Sequence, residues 1–367
     1  MKLEISREAL LKPLQQVIGA VERRQTLPAL ANVLLSADEH GLQLTATDLE
    51  LELRARVSVD VERSGETTVS ARKLLDICRT LPQGASLALE LEGEKVSVRS
   101  GRSRFTLATL PPAEFPVVDD VQGQVEFAIP QADLKRGIEK IGFAMAQQDV
   151  RYYLNGLLIE LSDQCLRTVA TDGHRLSLCE VPAELPDGAA EQVIVPRKGV
   201  IELARLLDED AEAPATLRIG GSHIQVELPG LRFTSKLIDG RFPDYSRVVP
   251  ETGSRELRAD RETLRQALVR TSILSNEKYK GVRLAMGPEG LRIQTHNPVQ
   301  EEAEEEVEVV YQGDPLEIGF NVVYLLEILG SIEGDEVQAE FNDANSSVLI
   351  RDVASGECRH VVMPMRL

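Results

Sequence analysis

Gly41–Val57 reads GLQLTATDLELELRARV, Cys165–Val181 reads CLRTVATDGHRLSLCEV, and Gly290–Val309 reads GLRIQTHNPVQEEAEEEVEV. Within them Asp48, Asp172 and Asn297 fall 124 and 125 residues apart. A second marker keeps the period: VSARKLLDI from Val69, IVPRKGVIEL from Ile194 and IGFNVVYLLEI from Ile318 set Arg72, Arg197 and Val322 at intervals of 125. A third, RFTLATLPPAEFP from Arg104 and RFTSKLIDGRFPDY from Arg232, sets Phe105 and Phe233 128 apart, with RHVVMPMRL at the C-terminus as a distant echo. Three markers in one order at similar spacing mean three homologous domains. The expected bounds are 1–124, 125–250 and 251–367, with joins in LPPAEFPVVDDVQGQ and FPDYSRVVPETGS, whose Pro and Gly interrupt regular structure.

The residues around Asp48 alternate apolar and polar, the period of a strand buried on one face. An amphipathic helix opens each repeat: Leu10, Leu11, Leu14, Val17, Ile18 and Val21 behind a Ser6 cap, then Leu134, Ile138, Ile141 and Met145, then Leu264, Leu268 and Leu274. Pro13 sits awkwardly in the first, since an interior proline costs about 3 kcal/mol unless the helix bends. A second helix is expected mid-repeat, over 74–81, 200–207 and 323–332. Two helices on an antiparallel sheet is the packing such a unit requires, so the class is α+β.

A chain of 367 residues exceeds what one core supports, which agrees with several domains. Four cysteines (Cys78, Cys165, Cys179, Cys358) lie far apart without a CxxC pair, which argues against a zinc ribbon or a disulfide framework. No apolar run reaches membrane-spanning length, and MKLEISREALLKPL turns polar too early for a signal peptide. A reduced, cytoplasmic protein is expected.

The formal charge is −18, from 41 basic and 59 acidic residues, and it is uneven: −3 over 1–124, −5 over 125–250 and −10 over 251–367. An acidic chain without Trp and with 14 other aromatics is a poor coat for nucleic acid, unless its positive charge gathers on one surface. Lys95–Leu107 is basic and acid-free, whereas Gln300–Glu308 is dominated by glutamate. Each alone reads as a solvated strand. Together they are complementary between two copies of the chain, with Arg102, Arg104, Phe105 and Leu107 on one side and Ile273, Leu274, Glu301, Glu302 and Glu304 on the other. Such a head-to-tail contact propagates until rotation closes a ring. Basic residues also recur on the helices: Arg72 with Arg79, Lys198 with Arg205, the cluster Lys135, Arg136 and Lys140, and the cluster Arg258, Arg261 and Arg265. Solubilising surface is the plain reading of each; recurrence points to a shared phosphate-facing side.

No nucleotide-binding, hydrolase or metalloprotease motif is present, and the five histidines lack ligand spacing, so no cofactor, metal or catalytic residue is assigned. Asp172 and His174 form the one tempting pair. No nucleophile motif accompanies them, and the equivalents Asp48 and Asn297 have no such histidine, so a turn or pocket role is favoured over an enzyme. A repeat scaffold that binds no DNA is the other alternative.

The runs LLKPLQQV, TLPALAN, TATDLELE, RSGRSRF, QDVRYYLNG, TVATDGHRL, VPRKGVIEL, TSKLIDGRFPDY, ILSNEKYKGVRL and VVMPMRL span essentially the whole chain. In them the chain resembles the β subunit of bacterial DNA polymerase III, the sliding-clamp family. The resemblance implies the three-domain clamp fold, six domains in a head-to-tail homodimeric ring, and a duplex held without reading its sequence. By the same resemblance the DNA-facing residues are Arg24, Arg72, Lys73, Arg79, Gln148, Arg151, Tyr152, Tyr153, Arg197 and Lys198. A groove between the second and third domains would take short motifs of the polymerase α subunit, clamp-loader subunits, other polymerases and repair proteins. Its matching positions are Leu154, Thr171, Gly173, His174, Arg175, Leu176, Pro243, Arg247, Val248, Tyr279, Asn321, Tyr324, Ser347, Val361, Met363, Pro364, Met365, Arg366 and Leu367. Tyr279 and Asn345 depart from the family's usual Phe and aliphatic residue, which bears on partner preference. Nucleoid-associated cytoplasm is the implied location, with no membrane partner.

Overall fold

The computed structural model describes residues 1–22, 27–118, 121, 123, 125–250 and 253–366. Six α-helices lie among them: α1 Arg7–Val17, α2 Ala71–Thr80, α3 Gln131–Glu139, α4 Arg197–Leu206, α5 Arg261–Ser272 and α6 Val322–Ser331. Their starts follow from side chains that accept otherwise orphaned N–H groups. The Ser6 hydroxyl accepts from Ala9 N, Asp260 from Thr263 N, and Asn321 from Val323 N. Pro13 lies inside α1 on its buried face with Leu10, Leu14 and Val17, and the helix runs on past it. All three opening helices are shorter than their apolar period suggested: α1 stops at Val17, before Ile18 and Val21, and a 3₁₀ turn, Ile18–Ala20, follows it. α3 stops at Glu139 and a 3₁₀ turn, Gly142–Ala144, follows; α5 stops at Ser272, before Leu274. The mid-repeat helices start one to three residues earlier than expected.

The chain divides into two compact units. The first comprises 1–132 and 201–237. Its antiparallel sheet runs, in spatial order, Val125–Ile129, Ala215–Ile219, His223–Leu228, Leu231–Lys236, Leu51–Val57, Gly41–Thr47, Asn32–Asp38, Gly65–Ser70, Ser103–Leu110, Lys95–Ser100, Ser86–Glu92, Lys2–Ser6 and Val61–Arg63. The second unit comprises 133–200 and 238–367. One of its sheets runs Glu191–Pro196, Gly156–Ser162, Cys165–Thr171, Arg175–Pro182, Cys358–Val362, Val348–Asp352, Glu336–Phe341, Arg255–Asp260 and Val310–Gln312. The other runs Glu302–Val307, Gly290–His296, Gly281–Gly287 and Leu316–Asn321.

Each unit contains the same joint between repeats. Leu51–Val57 pairs with Leu231–Lys236, with Leu53 opposite Phe233. Arg175–Pro182 pairs with Cys358–Val362, with Leu176 opposite Val361. The third strand of this kind, Glu302–Val307, stands at the edge of its sheet. The first strand of the complementary kind, Ser103–Leu110, pairs along its length with Lys95–Ser100 but meets Gly65–Ser70 only through Thr109 and Leu110.

Cys179 and Cys358, opposite each other across the second joint with Cα atoms 4.1 Å apart, form a disulfide. This corrects the expectation drawn from their spacing. A separation of 179 residues says nothing about proximity once two distant strands pair. Cys78 and Cys165 are free. No helix is long and apolar enough to cross a membrane, and no residue group could hold a metal ion, among the described residues.

Candidate functional site

The turn after each repeated marker is built by its acidic or amide residue. Asp48 Oδ1 accepts from Glu50 N and Leu51 N, Asp172 Oδ1 from His174 N and Arg175 N, and Asn297 Oδ1 from Val299 N and Glu301 N. This local bonding is what Asp and Asn offer at turns. Asp172 therefore meets His174 through the backbone, and its other oxygen accepts from Arg175 Nε at 3.2 Å. It does not orient the imidazole, so the dyad an enzyme would need is not formed. Gly173 has φ +89°, and a Cβ there would lie 3.0 Å from the Arg151 guanidinium. Backbone strain and lack of space both require glycine.

That turn forms one end of a groove of about 200 Å³ within the second unit. Leu154, Thr171, Gly173, His174, Arg175, Leu176, Pro243, Val248, Val361 and Met363 line it, all of them expected. Its floor is the apolar face of the second joint, with Leu158, Val169, Leu176, Leu178, Ile194, Leu349 and Val361 packed beneath Phe242. The tail is tied along it: Met363 N donates to His174 O and Met365 N to Gly319 O, both at 2.9 Å. Tyr279, Met365 and Arg366 line a second pocket of about 580 Å³ with Asn276, Arg283 and His296. Arg247 is exposed beside Asp244, and Asn321 is spent on capping α6. Ser347 and Pro364 are half-buried; Leu367 lies outside the described residues.

Arg175 is not a free ligand for a peptide. Its guanidinium lies between the Phe143 ring at 5.1 Å and the Tyr324 ring at 4.4 Å. It donates to Asp172, to Glu327 and to Phe143 O, and its side chain is 8% exposed. Arg175 thus fixes the groove's rim to α6. Burial pushes the Tyr324 phenol above its ordinary pKa. Three aromatics that line or pack the groove were not expected there. Tyr153 was assigned to DNA but packs on the floor cluster, Phe242 covers it, and Tyr245 is fixed by donating to Glu160 and accepting from Arg167. Burial raises the Tyr245 pKa to about 12. The recurrence of Phe115 as Phe242 was the available signal.

The expected DNA-facing residues divide sharply. Arg72, Lys73 and Arg79 on α2 are exposed and have no ion-pair partner among the described residues. Gln148 and Tyr152 are exposed. Arg151 is exposed but held by Asp149, through Nε to Oδ1 at 3.0 Å and Nη2 to Oδ2 at 2.9 Å. The same bonds hold the Asp149 pKa down at about 2. Arg197 and Lys198 are half-buried, and Arg197 donates to Met145 O. Arg24 lies outside the described residues. The basic clusters on α3 and α5 serve the fold instead: Arg136 pairs with Asp133 and Glu357, Lys140 with Glu333, and Arg265 with Glu262.

On the two strands of complementary charge, Arg102 and Arg104 are exposed and Phe105 half-buried, but Leu107 is 7% exposed and faces its own core. Alternation along the strand puts Phe105 and Leu107 on one face, where Leu107 is buried and Phe105 stays partly exposed. Ile273 is 74% exposed, while Leu274 is half-buried. Glu302 and Glu304 are exposed, and Glu301 accepts from Asn297 at the turn.

Family models for the DNA polymerase III beta subunit match the chain in three pieces, the N-terminal domain at 1–119, the central domain at 128–244 and the C-terminal domain at 246–366. The chain belongs to this family. It is 53% identical to the beta sliding clamp of Pseudomonas aeruginosa over 368 residues, covering all of both chains. It is 53% identical to the beta sliding clamp of Escherichia coli K12 over 370 residues, with the same coverage. The crystal structure of the DNA polymerase III subunit beta from P. aeruginosa superposes with a TM-score of 0.97 at 52% identity over the whole of both chains. The three tandem domains are therefore clamp domains, and the function is that of a sliding clamp.

Proposed function

We propose that two copies of this chain close head to tail into a ring that encircles duplex DNA and slides on it, without catalysis of its own. One observation carries the reading. Among the described residues, the two joints inside the chain consume every strand of their kind except Glu302–Val307 and the Ser103–Thr106 stretch, and these two carry opposite charge. An unpaired strand edge is a template for another chain. Joining the acidic edge of one copy to the basic edge of its twin makes a third joint of the existing design, and two such joints close a pair. Ile273 and Phe105 supply apolar surface beside the charges.

A closed ring holds DNA topologically, so its wall needs few contacts. The exposed Arg72, Lys73 and Arg79, with Gln148 and Tyr152, serve as sequence-blind phosphate contacts, while Arg197, Lys198 and the Asp149-held Arg151 add weaker ones. Base reading would defeat sliding, because about 1–3 kcal/mol of discrimination per contact makes the track rough. The overall acidity keeps nucleic acid off the outer surface. The groove of the second unit docks short apolar motifs of the polymerase α subunit, clamp-loader subunits and other polymerases and repair proteins. A tail rich in Met suits a surface that repacks around several partners. The cytoplasm, where such partners work on the nucleoid, is the proposed location.

The test is topological. The chain is loaded on nicked circular plasmid by a clamp loader with ATP, and the plasmid is then linearised. Retention on the circle in high salt and loss from the cut ends is the expected result. Salt-sensitive binding that ignores linearisation would refute the ring.

A further inference from the structure

The strand registers align the two joints position by position. In the second unit a row across the sheet runs Ile194, Leu158, Val169 and Leu178, with Leu176 two residues along and Val361 and Leu349 across the joint. All are apolar and form the floor of the groove. The same row in the first unit runs Thr68, Leu34, Thr45 and Arg54, with Glu52 two residues along and Thr234 and Gln225 across the joint. Only Leu34 is apolar. Yet Thr68, Thr45, Glu52, Thr234 and Gln225 are all buried.

The chain following Leu110 lies on this row. Phe115, 5% exposed, packs on Ala29 and Leu34, as Phe242 packs in the second unit. Val118 is then gripped at both backbone groups. Its N–H donates to Glu52 Oε2 at 2.8 Å, and its carbonyl accepts from Arg54 Nη2. Arg54 Nε in turn donates to Glu52 Oε1 at 2.6 Å. The Glu52 side chain is 1% exposed, so this carboxylate is buried with its bonds satisfied. Removing one partner of such a pair leaves the buried carboxylate uncompensated, so the pair holds the segment in place. At the matching positions of the second unit stand Leu176 and Leu178, which can bond to no backbone, and there the groove is open.

We propose that the first joint is a closed copy of the groove, filled by the chain's own Phe115–Val118 segment, and that Glu52 and Arg54 are the specificity residues that deny it to partner peptides. Each chain then presents one groove instead of two. This rests on the second joint's groove being a peptide site.

The test transplants the second joint's residues into the first, as E52L/R54L/T234V in the full chain. The probe is a fluorophore-labelled five-residue peptide carrying Leu and Phe, and binding is followed beside amide hydrogen exchange. Wild type is expected to bind one peptide per chain. The triple variant is expected to bind two, with the Val118 amide exchanging at least about 10-fold faster. One peptide per chain in a folded triple variant would overturn the proposal. No peptide on wild type would instead refute the groove itself. Should the triple variant not fold, E52L carries the test, because it removes the acceptor of the Val118 amide and the partner of Arg54 while matching Leu176 of the second unit. Several-fold faster exchange at Val118, with the Leu87–Leu89 amides unchanged, supports the closure; unchanged exchange at Val118 overturns it.

Discussion

Arg175 illustrates why residue identity and residue role part company. Its position in TVATDGHRL marks it as a groove residue, and it does line the groove, but its guanidinium is committed elsewhere. Two ring faces and three acceptors, Asp172, Glu327 and Phe143 O, use its planar geometry. Lysine offers a point charge with no fork and no flat face, so the conservative change is not conservative here. Breaking a buried, bonded charge pair costs about 3–5 kcal/mol, and a lysine that keeps part of the attraction is expected to cost roughly half of that. Arg175→Lys should therefore lower the urea midpoint of the protein and weaken motif-peptide binding by about 10-fold as Tyr324 and the 142–144 turn drift. Binding measured by fluorescence anisotropy at fixed stability (in an osmolyte, for example) separates the two effects. An unchanged midpoint would show that the network is dispensable.

The strand Cys358–Val362 is where burial and titration meet. His360 is 1% exposed on it, its Nδ1 2.9 Å from the Ser177 hydroxyl and its ring 5.9 Å from Phe143. Burial, with Lys140 nearby, pushes its pKa down to about 3. In the unfolded chain it returns to its ordinary value of 6.5, so between those two pH values the unfolded state binds more protons and stability rises with pH. Acidification from pH 7 to pH 5 should then cost wild type about 2 kcal/mol more than His360→Gln, at about 1.4 kcal/mol per pH unit below 6.5. Parallel urea-unfolding series at pH 7, 6 and 5 measure the gap, and coincident slopes would contradict it. The same strand shows how much the residues foretold. The period-two alternation and the repeated markers identified the strands, the three repeats and the Ser6 cap, because these are local patterns. The partner of Cys179, the inward turn of Leu107 and the use of Tyr153 as groove floor depend on which distant strands pair. No local period encodes that choice. Phe242 and Tyr245 were passed over because they sit in a Pro-bearing join, where an aromatic looks like linker until a floor is found beneath it.

For the assembled molecule the decisive quantity is charge at the unpaired edges. Exposed pairs such as these add little affinity one by one, but they steer approach and reject wrong registers. A head-to-tail pair uses each edge once per chain, so reversing one edge places like charges at both joints of the ring. R102E/R104E should make acid face acid, and E302R/E304R should make base face base. Each variant alone is expected to dissociate at concentrations at least 100-fold higher than wild type in sedimentation at low salt. Mixing the two restores opposite charges at both joints of a mixed pair, since the two reversed edges meet at one joint and the two native edges at the other. A 1:1 mixture should therefore run as a dimer where neither variant does, and added salt should narrow the difference by screening. A two-fold contact through one edge alone would instead leave the variant altered at the other edge as tight as wild type. Dimers of either variant alone as tight as wild type would remove these edges from the interface.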